Sequence, residues 1–176
     1  MSTMRSKASL AWVLVAIALL GGLGAWLLWP QKPPPVPQAQ RLADGLEAFH
    51  LTDSRLEPSP GYPSPREMRV DGDFFIRVPD APTPLVVRSR LLVLTVTGKT
   101  AFRITAYSHE AGEQVEVLYG HIEARKSYPS NYMEPDRLTD GEMTMINRDI
   151  DLMEKETTDV AALRAWADAL VASTAR

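Results

Sequence analysis

Three histidines, His50, His109 and His121, are the first places to look for chemistry. His109 lies with Glu110 and Glu113 in the polar stretch Ser108–Glu113. Three such side chains could clip a divalent cation, but zinc needs a fixed geometry and usually a fourth ligand. The plainer reading is a solvated loop between two strands. His121 follows Gly120 inside an apolar run and reads as a surface or half-buried histidine, not a general base. Serine, histidine and aspartate all occur, yet no G-x-S-x-G elbow and no S-x-x-K stands in the chain. Gly98-Lys99-Thr100 matches the end of a phosphate-binding loop but lacks that loop's first glycine, and it reads as a turn between strands. Asp151, Glu154 and Glu156, interleaved with Lys155, read as a solvated face. Met143, Met145 and Met153 read as core filler. With no cysteine, thiol catalysis, disulfides and cysteine-held metals are excluded. No catalytic, cofactor-binding or metal-binding residue is therefore assigned, and the chain reads as a non-enzyme. Tyr62, Tyr128 and Tyr132 fall in proline-rich or polar loops, where exposed tyrosines can anchor a partner.

The elements around these residues fall into three kinds. Ala8–Trp29 is a charge-free stretch of 22 residues with Trp12, Trp26 and Trp29 towards its ends. As a helix it matches the ~30 Å hydrocarbon core of a bilayer. Arg5 and Lys7 precede it, and no acidic residue occurs before Asp44. The positive-inside rule then places residues 1–7 in the cytoplasm and everything beyond Trp29 outside. A cleaved signal peptide is the competing reading, but its apolar region is shorter and ends in a small-residue cleavage site. Here the run continues to Trp29 and Pro30. Residues 30–40, with five prolines in eleven, read as an extended spacer.

Residues 41–156 carry strand periodicity. Asp73–Val78, Leu85–Val96, Ala101–Tyr107, Gln114–Ala124 and Glu142–Ile146 are apolar or alternating runs. Gly120 breaks the fourth of them as a bend would, and Asp140-Gly141 marks the turn before the fifth. Weaker strands are expected at Leu46–Leu51 and Met68–Val70, with a proline-rich loop between them. Only residues 157–176 look helical: Thr158 or Asp159 can cap them, and Leu163, Trp166, Ala167 and Leu170 recur at helical spacing. The expected architecture is mainly β. It is a single β-rich domain, sandwich or coiled β-solenoid, with a C-terminal amphipathic helix, preceded by one transmembrane helix. Apolar residues at 45% suffice for such a core, and a net charge of −3 leaves no nucleic-acid footprint.

Several segments then line up in order: Leu42–Gly45 (LADG), Ser54–Leu56 (SRL), Gly72–Val78 (GDFFIRV), Pro84–Val87 (PLVV), Val96–Phe102 (VTGKTAF), Val115–Ala124 (VEVLYGHIEA) and Leu138–Glu142 (LTDGE). Together they resemble the FecR family, bacterial single-pass inner-membrane proteins whose periplasmic part relays signals in iron uptake. A Leu163–Leu170 segment containing Ala165-Trp166 extends the likeness, with Ala169 where a glycine usually stands. The chain departs from the family in several ways. Only residues 1–7 precede the span, where family members that regulate sigma factors carry a helical domain. The turn at Gly98 is a residue longer, and Tyr119 replaces the usual glutamate before Gly120.

The resemblance implies no catalytic residue and no cofactor. It implies a membrane-anchored periplasmic protein of the bacterial inner membrane that acts by protein–protein contact in envelope signalling or regulation. Its partners would be the bilayer and an envelope protein that the sequence does not identify. A structural or assembly factor of an envelope complex is the alternative function. A periplasmic hydrolase or metal carrier is a third, and it rests on His109, Glu110 and Glu113 alone.

Overall fold

The computed structural model of the chain describes residues 36–131 and 133–174. The expected membrane anchor, residues 8–29, lies outside them, as does most of the proline-rich spacer. Among the described residues, no helix is long and apolar enough to cross a membrane. They form ten strands and one helix: β1 (Pro37–Arg41), β2 (Glu47–Leu51), β3 (Arg55–Pro58), β4 (Glu67–Val78), β5 (Leu85–Arg88), β6 (Leu92–Ala106), β7 (Gly112–Lys126), β8 (Asp136–Leu138), β9 (Glu142–Asn147), β10 (Leu152–Thr157) and α1 (Val160–Thr174).

All ten strands belong to one hydrogen-bonded sheet. Every pairing is antiparallel except that of β4 with β5. The three long strands each serve two sets of neighbours. The start of β4 pairs with β3 and β5; from Gly72 onward it pairs with β2 and β6. The first half of β7 pairs with β9, and its second half with β8. These exchanges happen at bends that only glycine fits. A Cβ on Gly72 (φ +131°) would stand 2.3 Å from the Ser54 hydroxyl, and one on Gly120 (φ +105°) 2.4 Å from that of Thr100. The bent sheet encloses a single core, in which Phe74, Ile76, Phe102 and Ile104 meet Leu85, Val87, Leu94 and Val96.

Several sequence expectations change here. Leu85–Val96 is not one strand: Ser89 N donates to Leu92 O at 2.9 Å and turns the chain between β5 and β6. Gly98 is not a turn between strands. β6 runs through it, with a bulge between Thr97 and Ala101. β1 occupies residues expected as spacer, pairing with β2 at the edge, where Pro37 lacks nothing an outer strand needs. β10 occupies the run of carboxylates expected as a mere solvated face.

α1 begins at Asp159, whose Oδ1 accepts from the Ala161 and Ala162 N–H groups at 3.0 Å. Thr158, the other expected cap, instead donates to Glu116 Oε1 at 2.6 Å. The helix buries Leu163, Ala167 and Leu170. Ala167 and Leu170 pack with Phe49, Phe75 and Ala101 in a second apolar cluster, on the outer face of the sheet. Each buried leucine contributes on the order of 2 kcal/mol.

Candidate functional site

Cross-strand register sorts the outer face into rows. One row runs Phe49, Phe75, Arg103, Glu116, Met143, Glu156. The helix covers its first half: Trp166 stands edge-on to Phe75, with ring centroids 6.3 Å apart. The Arg103 guanidinium lies 4.0 Å from the Trp166 ring centroid. Arg103 also donates to both Asp73 oxygens, at 2.9 and 2.8 Å, and stands 3.6 Å from Glu116. The Asp73 carboxylate holds the guanidinium above its already high pKa.

The adjacent row runs Asp73, Thr105, Gln114, Met145, Glu154. Its far half opens into a groove of about 550 Å³, lined by Thr105, Gln114, Met145, Ile150, Leu152 and Glu154 among others. Three of these are large apolar side chains left in water: Met145 at 36%, Leu152 at 45% and Ile150 at 67% exposure. On a small domain, grouped apolar exposure of this kind marks an interaction surface.

The turn that presents Ile150 is braced from beneath. Asp151 has a left-handed φ of 50°. Its carboxylate accepts from Lys126 Nζ at 2.8 Å, Ser130 Oγ at 2.7 Å and Tyr128 Oη at 3.0 Å. The Lys126 ammonium, buried to 3% side-chain exposure, leads in drawing the Asp151 carboxyl down to about 2. Arg148 closes the brace with its guanidinium 4.0 Å from the Tyr128 ring centroid. Below the groove Glu113, 4% exposed, accepts from Leu91 N at 3.0 Å and from the Ser89 hydroxyl. Burial pushes its carboxyl up, and its contacts fasten the β5–β6 turn.

The sequence candidates are dispersed. Glu113 is turned into the fold, whereas the His109 ring lies tilted beside Tyr107, with centroids 5.3 Å apart. Among the described residues no three His or carboxylate side chains come together as a metal site. His50 is buried, with Nδ1 donating to Leu51 O at 2.8 Å, and His121 is exposed on β7. Tyr62 and Tyr128 are not free loop anchors. Tyr62 packs against the core, and burial together with Asp44 suppresses its ionisation. Tyr128 belongs to the Asp151 brace, and Tyr132 lies outside the described residues. Met143 is buried and Met153 packs on the core, but Met145 faces the groove. No sequence pattern marks Ile150 and Leu152, because charges surround them and only the β9–β10 register brings them beside Met145.

No protein-family model matches the sequence. No curated protein matches it either. The fold is shared with two crystal structures, at 1.65 and 2.50 Å, each of a "putative anti-sigma factor" from Parabacteroides distasonis ATCC 8503. Both have a TM-score of 0.64 and 21% identity, covering 74% and 76% of this chain. The chain spans only 60% and 63% of those two chains. At that identity the likeness establishes the fold: a mainly β sheet with a C-terminal helix.

Proposed function

We propose that this protein is a regulator that works by binding another envelope protein at the open end of its outer face, and that it performs no chemistry of its own. The carrying observation is the groove, where Met145 on β9, Leu152 on β10 and Ile150 on the turn between them stand exposed, with that turn held by Asp151 and Lys126. A rigid apolar patch loses little entropy when a partner covers it, which is what an interaction face requires. The fold shared with a protein named as an anti-sigma factor supports a signalling role. The FecR-like motif order supports it too. The apolar stretch Ala8–Trp29 supports an inner-membrane anchor, with the β-domain displayed in the periplasm.

The test is photo-crosslinking in intact cells, with the reactive group placed at Ile150 or Leu152 and, for comparison, at Glu57 on the exposed β3. One envelope protein should be captured from the groove positions and not from Glu57. Capture from Glu57 alone would move the interaction elsewhere. Capture of cell-wall or secretion components would favour the assembly-factor reading over signalling.

A further inference from the structure

β10 is the last strand of the sheet, and among the described residues it pairs only with β9. The phase of its ladder fixes which backbone groups remain free. Thr158 N donates to Gly141 O at 2.9 Å, one step beyond the pair Thr157–Glu142. By antiparallel alternation, Leu152, Glu154 and Glu156 turn their backbone groups to β9, and Met153, Lys155 and Thr157 turn theirs to the open edge. The side chains alternate as well. Leu152, Glu154 and Glu156 project on the outer face; Leu152 and Glu154 line the groove, and Glu156 lies in the adjacent row opposite Met143. Neither glutamate has an ion pair among the described residues.

A second copy of this chain is a poor occupant of that edge. Two β10 strands related by a two-fold axis keep the same face outward. The central registers then set Glu154 against Glu154, or Glu154 against Glu156 with Lys155 against Lys155. Like charges directly opposite are destabilising. The same charges select a different strand. We propose that β10 is completed by an extended segment of the partner protein that carries cations at alternate positions, facing Glu156 and then Glu154, followed by an apolar residue at Leu152 and Ile150. The added strand runs antiparallel and reads cation–x–cation–x–apolar. Its intervening residues bond Met153, Lys155 and Thr157, and its apolar residue enters the groove. This rests on the reading of the groove as an interaction face and names the chemistry of what it binds.

The probe is a labelled peptide, Thr-Lys-Thr-Lys-Thr-Val-Thr, titrated against the full chain and followed by fluorescence anisotropy. Saturable binding is expected, weakened by salt and by about tenfold in the double variant Glu154→Lys, Glu156→Lys. N-methylating the two threonines that flank the second lysine should abolish binding, because their N–H groups enter the ladder. N-methylating the lysines and the valine should leave it intact. Equal effects of the two methylation patterns, or no saturable binding, would overturn the proposal. So would a homodimer that Glu154→Lys disrupts. Crosslinks at Ile150 in cells without peptide binding would remove strand addition and leave the groove as an interaction face.

Discussion

The two ends of the outer face are built on the same strands and finished differently. At one end α1 lies over Phe49, Phe75 and Ala101, and Phe75 is left 1% exposed. At the other end no helix of the described residues arrives. Met145, Ile150 and Leu152 meet water, and the polar work is done underneath by the Asp151 brace. The covered end spends its apolar surface on folding. The open end keeps its apolar surface in water and spends hydrogen bonds on rigidity instead. A face of this kind is unfinished in the isolated chain, and the difference between its ends tells folding residues from binding residues.

The largest expected effect lies at the sealed end. Phe75→Ala empties the centre of the second cluster, between Phe49 and Trp166, and should cost about 3–5 kcal/mol in denaturant unfolding. If it costs less than 1 kcal/mol, the helix is not a folding element and the contrast between the ends collapses.

Next comes Trp166→Ala, which removes a half-buried ring from Phe75 and from the Arg103 guanidinium. About 2 kcal/mol should be lost, with Trp166→Phe recovering most of it. Arg103 should remain in place in both variants, because Asp73 holds it independently. Hydrogen exchange along α1 would show whether the loss is confined to the helix, as it should be.

The sealed end was also the more legible one in the sequence. Helical spacing of Leu163, Trp166, Ala167 and Leu170, with a cap at Asp159, locates α1 without tertiary information. Alternation likewise locates Ala101–Tyr107 and most of β7, because each has one face in the core; Asp73–Val78 shows instead as an apolar run, with Phe74 and Ile76 in the core and Phe75 buried under α1. The turn at Ser89–Leu91 stayed hidden, since Arg88 and Arg90 continue the alternation across it while Leu91 and Leu92 are both fully buried. β1 was masked by the prolines before it. β10 was masked because an edge strand exposed on most of its length carries no apolar rhythm. The open end depends on partners distant in the chain. Tyr128 and Asp151 are 23 positions apart, and nothing local marks them as one brace.

That brace gives a pH test. The Asp151 carboxyl titrates at about 2 in the folded protein, below the ~3.9 of an unfolded aspartate. Its stabilisation is therefore present above pH ~4 and lost as pH falls through about 2. Asp151→Asn keeps the side-chain shape and tolerates the left-handed backbone; it removes the charge and turns one acceptor oxygen into a donor, and only the charge term depends on pH. The wild-type chain should be more stable than the variant at pH 5, and the difference should shrink between pH 4 and pH 2. A difference independent of pH would mean that the lost acceptor rather than the charge holds the turn, and that Lys126 is neutralised by some other group.

The smallest effect on stability is expected at the residues given the largest role in binding. Ile150 and Leu152 are exposed in the folded chain and in the unfolded one, so Ile150→Ser with Leu152→Ser should shift the unfolding free energy by no more than about 0.5 kcal/mol. The same double variant should lose the crosslinked partner, because the apolar area it deletes is what the partner would cover. Loss of capture at unchanged stability separates the two ends in one experiment: deletion at the helix unfolds, and deletion at the groove only disconnects. A drop in stability comparable to that of Trp166→Ala would mean that the groove side chains already have a partner within the fold, and the open end would then be a second sealed one.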